Sequence, residues 1–124
     1  MKLRERPVKD DAIAFDIVIG DDDVVGFVGV HHIDKKNQCA QIAYELDIEH
    51  RGKGLMTEAM RELIAKAFGE MKLHRLEAHV DPKNAPSLKL VERLGFVHEG
   101  YLRENVLEAD GFHDTVLLAL LAPS

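Results

Sequence analysis

Cysteine is nearly missing from this chain of 124 residues: Cys39 stands alone, so no internal disulfide can form, which fits a reducing cytoplasm. The opening residues, Met1-Lys2-Leu3-Arg4-Glu5-Arg6-Pro7, lack the apolar core of a signal peptide. No apolar run approaches the ~18 residues of a membrane span. Basic charge is also short, with 16 Lys and Arg against 22 Asp and Glu and a net charge of −6. That balance argues against general nucleic-acid binding and suits a cationic substrate. Metal motifs are absent too: no H-x-x-x-H and no Cys/His cluster occurs, and strand alternation places His31 and His32 on opposite faces. Internal repeats and low-complexity segments are lacking. The length allows one domain, residues 1–124, with a real core. These absences predict a soluble cytoplasmic domain, with no membrane, nucleic-acid or metal partner.

The most informative stretch is Leu46-Asp47-Ile48-Glu49-His50-Arg51-Gly52-Lys53-Gly54-Leu55-Met56. After Gly54 the apolar residues fall at Met56, Ala59, Met60, Leu63, Ile64, Ala67, Phe68 and Met71. This helical spacing predicts one core-facing stripe on a helix over about Leu55–Met71. No Ser, Thr, Asp or Asn caps the first turn, while Gly52 and Gly54 permit a tight backbone that approaches another molecule closely. A helix N-terminus with bare amides is an anion site, and Arg51 and Lys53 add cationic side chains. The best-suited anion is a phosphate or pyrophosphate. A P-loop is excluded because Lys53 is followed by Gly54 instead of a hydroxyl residue. A dinucleotide fingerprint is excluded because Thr57 stands where a third glycine or alanine belongs.

Around this stretch the pattern is βββ-α-β-α-ββ. Residues 1–11 are polar and read as a tail or the frayed end of something shorter. Ala12–Ile19, Val24–Asp34 and Gln38–Ile48 read as an antiparallel meander, with turns at Gly20–Asp23 and Lys35–Asn37. Gly26 and Gly29 mark bends or bulges in the second of these strands. The long helix crosses to a strand at Arg75–Val80, which should lie parallel to the strand before the helix. Pro82 ends that strand in the loop Asp81-Pro82-Lys83-Asn84. A second helix follows over about Ala85–Leu94, closed by Gly95, and a hairpin of Phe96–Leu107 and Phe112–Leu121 turns at Ala109-Asp110-Gly111.

Three blocks, in this order, resemble the GNAT superfamily of N-acetyltransferases, and within it the ribosomal-protein-alanine group. Arg51-Gly52-Lys53-Gly54 followed by Met56-Thr57-Glu58-Ala59 is similar to the acetyl-CoA pyrophosphate loop. Leu73-His74-Arg75-Leu76-Glu77-Ala78 through Asp81-Pro82-Lys83-Asn84 resembles the next strand and loop. Asn84-Ala85-Pro86-Ser87, Leu94-Gly95-Phe96 and Glu99-Gly100 resemble the second helix and the start of the closing hairpin. The likeness spans about Ala12 to Leu121 and implies a mixed α/β (α+β), mostly antiparallel sheet flanked by helices.

The resemblance implies acetyl-CoA as cosubstrate and direct attack on its thioester by a primary amine, either a protein N-terminal α-amine or a polyamine-like molecule. Backbone N–H groups of Arg51, Gly52, Lys53, Gly54, Leu55 and Met56 are expected on the pyrophosphate. Unpaired main-chain groups near Leu46 and Ile48 are expected to bond the pantetheine amides as an added strand would. A backbone N–H near Tyr44 or Leu46 would polarise the acetyl carbonyl. Ser87 corresponds to a serine that protonates the departing sulfur in a related subgroup, and its bland alternative is a helix serine satisfied by backbone. Many relatives place a tyrosine four residues later, and here that position is Val91. Asn84 is expected both to bond pantetheine and to cap the second helix.

For the base the resemblance leaves His79 first, Glu45 second and water third. Gln41 occupies the position of a glutamate that other relatives use. Glu49 departs from the family's Gln or Arg ahead of the loop. Cys39 reads as a packed thiol, since direct transfer needs no acyl-enzyme. The rival reading is a coenzyme-A-binding module with weak catalysis, because Gln41 and Val91 replace groups that relatives use. Family members begin with a strand and two helices ahead of the strand matching Ala12–Ile19, whereas eleven residues precede it here. The chain therefore reads as N-terminally shortened, with Arg6–Asp11 as a helix remnant. Apolar residues of the Phe15 and Val25 strands would then face water, and a two-fold homodimer would bury them.

Overall fold

Short turns between alternating apolar stretches bring the strands into one mixed sheet with both helices on the same face. The computed structural model describes residues 1–124, the side chain of Pro7 excepted. The elements are β1 (Lys2–Pro7), β2 (Ile13–Ile19), β3 (Asp23–Asp34), β4 (Cys39–Leu46), α1 (Leu55–Phe68), β5 (Arg75–Val80), α2 (Ala85–Arg93), β6 (Val97–Glu108) and β7 (Gly111–Leu121). A single 3-10 turn, Ile48–His50, sits between β4 and α1. The seven strands lie in the order β1-β2-β3-β4-β5-β7-β6. Every pairing is antiparallel except β4 with β5, the pair joined by the α1 crossover. This is the mixed, mostly antiparallel architecture that the sequence predicts.

The first correction lies at the N-terminus. Residues 2–7 are neither a tail nor a helix remnant but a strand in register with β2, from Lys2 opposite Val18 to Pro7 opposite Ile13. Main-chain bonding holds this edge strand, and Leu3 is the residue that packs on the core. Its charges pair with neighbouring segments: Arg4 Nη1 lies 2.6 Å from Asp22 Oδ1, and Arg6 Nε 2.9 Å from Asp16 Oδ1.

The core forms between the helices and one sheet face. Register places Phe15, Val28 and Tyr44 side by side on that face, and likewise Ile13, Val30 and Ile42. From α1, Ala59, Met60, Leu63 and Ala67 are fully buried against them. Each large side chain so buried contributes roughly 1.5–3 kcal/mol. The helix ends at Phe68 with Gly69 as its C-cap, the Gly69 N–H making the last bond, to Ala65 O, so the helix stops short of Met71. In α2, Val91 is completely buried, and Gly95 takes φ +97°, the left-handed conformation that ends the helix.

Two further corrections follow from register. Phe15 and Val25 are 5% and 2% exposed, so these two side chains do not face water, while Val24 on the same strand as Val25 does, at 45%. The opposite sheet face, on which neither helix packs, carries Asp16, Gln41, Glu45, Arg75, Glu77 and His79 together with the apolar Phe27, Leu117 and Leu121. There Phe27 is half-buried, with the Arg6 guanidinium 5.3 Å from its ring centre. His31 and His32 do not point apart: their rings meet edge to face at 4.6 Å, and their Nδ1 atoms are in hydrogen-bond contact. His32 has φ +51°, inside the irregularity between His31 and Asp34, which breaks the alternation.

Candidate functional site

The β4–β5 pair is the origin of the site. These strands pair over only three positions, Cys39 with Arg75, Ala40 with Leu76 and Gln41 with Glu77, and then part. Beyond Gln41 the β5-facing edge of β4 has no strand partner, leaving main-chain groups available to a ligand. A cleft of about 820 Å³ lies there, lined among others by Tyr44, Glu45, Leu46, Asn84 and Ser87, and it reaches Arg51, Gly52, Gly54, Leu55 and Met56 at the start of α1.

At the α1 end, the fit to a pyrophosphate can be judged from the loop itself. Gly54 is the N-cap, and no side chain bonds the first-turn amides. Gly52 and Gly54 both have φ +78°, and a Cβ built on either would meet no atom within 4 Å. The glycines are thus required by conformation and not by crowding. Arg51 and Lys53 are exposed beside them. This donor set suits a diphosphate.

Leu46 and Ile48 behave differently from one another. Leu46 is buried at the end of β4, and its carbonyl accepts a bond from Arg51 Nε at 2.8 Å. Arg51 therefore holds the loop against the strand, while the carbonyl keeps a second lone pair. Ile48 lies past the strand on the 3-10 turn, 79% exposed, with its carbonyl taken by Arg51 N.

Asn84 caps α2, its side-chain oxygen accepting from Ser87 N at 3.2 Å, so the capping expectation is met in the geometry. The Ser87 hydroxyl is not spent on backbone: it hydrogen-bonds the Tyr44 hydroxyl across the cleft. The Tyr44 side chain is a site feature that sequence reasoning missed. Strand alternation from buried Ile42 could have pointed it toward α2, but no local signal pairs positions 44 and 87. Burial pushes the Tyr44 phenol up, and the Ser87 bond only partly offsets this, so the phenol is protonated at neutral pH. Val91 is enclosed in the core and cannot reach the cleft.

On the opposite sheet face, Arg75, Glu77 and His79 project in a row. His79 Nε2 is 3.0 Å from Glu77 Oε1, and Arg75 Nε is 3.0 Å from Glu77 Oε2. Burial acts to raise the Glu77 value, but the bonds from His79 and Arg75 outweigh it and hold the carboxyl below its usual range. An ionised Glu77 only accepts, so the neutral His79 ring donates from Nε2 and carries its free lone pair on Nδ1. Glu77 was not singled out from sequence, although the two-residue spacing of this row could have marked it. Glu45 is exposed on the same face. Cys39 is half-buried with Sγ 4.0 Å from Glu77, and burial raises its thiol, which suits a packed residue. Among the described residues, no group of three or more His, Cys, Asp or Glu is placed to hold a metal ion.

The loop bearing Asn84 is fastened from the hairpin. His113 contacts Asp81 through Nδ1 and Asp110 through Nε2, the latter at 2.6 Å, so both ring nitrogens face carboxylates. Bonds to Asp110 and then Asp81 raise the His113 value. The Lys83 N–H and then His113 lower Asp81, and His113 lowers Asp110. A raised histidine stabilises fully below its ordinary value and ceases to do so as pH rises through the folded one; the lowered aspartates act above their ordinary value. The clamp is thus complete between about pH 4 and 6.5. The melting-temperature gap between the wild type and His113→Gln should be widest near pH ~5 and narrow as pH rises further. A gap that is flat or that widens with pH would contradict this assignment.

Comparison with known proteins agrees with this geometry. The GNAT acetyltransferase domain family matches residues 2–97. YjcK of Bacillus subtilis (strain 168), described as a probable N-acetyltransferase, is 43% identical over 124 residues, covering 98% of this chain and 68% of its own length. The ribosomal protein uS5 alanine N-acetyltransferase of Escherichia coli (strain K12) is 37% identical over 82 residues, 66% of this chain and 42% of that protein. A dodecameric spermidine N-acetyltransferase from Vibrio cholerae superposes with TM-score 0.84 at 24% identity, covering 90% of this chain and 66% of that one, a likeness of fold. No helix is long and apolar enough to cross a membrane among the described residues. With a split β4–β5 pair, a bare-amide glycine loop and this relationship to YjcK, the chain belongs to the GNAT family of N-acetyltransferases, which pass an acetyl group to an amine.

Proposed function

We propose that residues 1–124 form one acetyl-CoA-binding domain that works from both sides of the β4–β5 slot on a primary amine. The parting of the two strands after Gln41 and Glu77 carries this reading, because it places hydroxyl groups on one face and a histidine–carboxylate pair on the other. Acetyl-CoA supplies an activated acetyl group as a thioester. The α1 amides with Arg51 and Lys53 hold its diphosphate, and the free edge of β4 near Leu46, with Asn84, holds the pantetheine arm. His79 Nδ1 takes the proton from the attacking amine, with Glu45 as the other candidate base on that face. Ser87 Oγ delivers a proton to the departing sulfur.

Carboxylates at Glu45 and Glu77 suit an acceptor that arrives as an ammonium ion. A protein N-terminal α-amine is favoured by the likeness to the ribosomal-protein enzyme, and a polyamine is the alternative acceptor. A reducing cytoplasm suits the free Cys39 thiol. Thiol release from acetyl-CoA should require an amine, and a panel of N-terminal peptides and polyamines would identify which. Tight coenzyme binding without amine-dependent release would favour the binding-module reading.

Self-association now rests on a different surface from the one expected on β2 and β3. All twelve residues of edge strand β6 are exposed, including Val97, Tyr101 and Leu107, with Phe112 beside them on β7. Such an edge invites pairing with a second copy. Light scattering should give a homodimer mass at micromolar concentration, and Leu107→Asp should reduce it. A monomer that binds no hydrophobic dye would refute the proposal.

A further inference from the structure

We propose that Tyr44 and Ser87 form a two-hydroxyl proton relay, in which Tyr44 resupplies the proton that Ser87 passes to the departing sulfur. The inference rests on the acetyl-transfer reading above and adds a part that neither residue supplies alone. The two hydroxyls come from β4 and α2, 43 positions apart, yet they bond each other inside the cleft. Tyr44 lies three residues past the last β4–β5 pair, on the helix-covered face, while His79 lies on the other. A proton leaving toward the sulfur and a proton taken from the amine are thereby kept on separate sides of the sheet.

The chemistry explains why a second hydroxyl is needed. An aliphatic alcohol is a far weaker acid than a thiol, so Ser87 acting alone would be left as an alkoxide. Burial raises the Tyr44 phenol, yet a phenol is still a far stronger acid than an aliphatic alcohol and lies closer to a thiol. As the carbon–sulfur bond breaks, its electron pair stays on sulfur. The Ser87 O–H bond then breaks as the S–H bond forms, and the Tyr44 O–H bond breaks as a new Ser87 O–H bond forms. The phenolate on Tyr44 is reprotonated by water through the open cleft. Ser87 is the catalytic hydroxyl, and Tyr44 is its positioning and resupplying partner.

Tyr44→Phe, Ser87→Ala and the double variant test the relay. Each single change should lower kcat by about 100-fold with the acetyl-CoA KM within about twofold, and the double variant should fall only about threefold further. The solvent proton inventory on kcat should be curved in the wild type and linear in Tyr44→Phe. Calorimetry gives a readout independent of turnover: the wild type should prefer coenzyme A to desulfo-coenzyme A, and each single variant should lose that preference. Ser87→Ala keeps the tyrosine ring in place, so it serves if Tyr44→Phe unfolds. Wild-type kcat in Tyr44→Phe, multiplicative losses in the double variant, or an unchanged calorimetric preference would overturn the relay. If the wild type releases no thiol with any amine, the acetyl-transfer reading fails instead, and the calorimetric comparison alone decides whether the hydroxyl pair meets sulfur.

Discussion

Gly54→Val should weaken acetyl-CoA binding about 100-fold, or ~2.7 kcal/mol, in a protein that still folds. Two costs have to be separated. Valine at φ +78° is strained, which on the scale of left-handed residues is roughly 1–2 kcal/mol, against a typical domain stability of about 5–15 kcal/mol. A Cβ at this position meets no protein atom within 4 Å, so the first added carbon brings no packing clash to that strain. On the phosphate assignment, side-chain bulk at the N-cap should also keep a diphosphate from closing on the first-turn N–H groups. Gly54→Ala should give a smaller loss of the same kind. Calorimetry on the folded variants is the check, with melting temperature beside it. Equal binding in a folded Gly54→Val protein would remove the phosphate assignment from this loop.

His79→Ala should lower kcat by about 100-fold while changing the acetyl-CoA KM little, the pattern of a base that acts on the amine and not on the coenzyme. Arg75 and His79 keep Glu77 ionised, and Glu77 in turn fixes the histidine tautomer. With Nε2 donating, Nδ1 is the atom free to accept a proton. Any acidic limb in the wild-type pH–rate profile should be lost in the variant. Glu77→Gln should reproduce part of the defect by releasing the ring. If the acidic limb persists in His79→Ala, proton removal passes to Glu45 or to water.

What the chain announces locally, it announces well. The α1 stripe, the turn residues, the β5 strand before Pro82 and the glycine that closes α2 all arise from interactions within a few residues, and periodicity or turn chemistry reports them directly. The bare-amide loop belongs to the same class, since Gly52 and Gly54 need only their own φ values to make it. The β1 strand was hidden because an edge strand held by main-chain bonds can be charged almost throughout, leaving Leu3 as its one packed signal. Alternation misplaced His32 because one positive φ inside an irregular stretch reverses a side chain without marking the sequence. Apolar residues on β2 do not say which sheet face the helices cover, so Phe15 read as exposed until the α1 crossover buried it. The chemistry of the cleft lies furthest from local reading. Tyr44 meets Ser87 only because β4 and α2 converge where two parallel strands part. Contacts between distant segments are set by packing of the whole sheet, and no spacing within one segment encodes them.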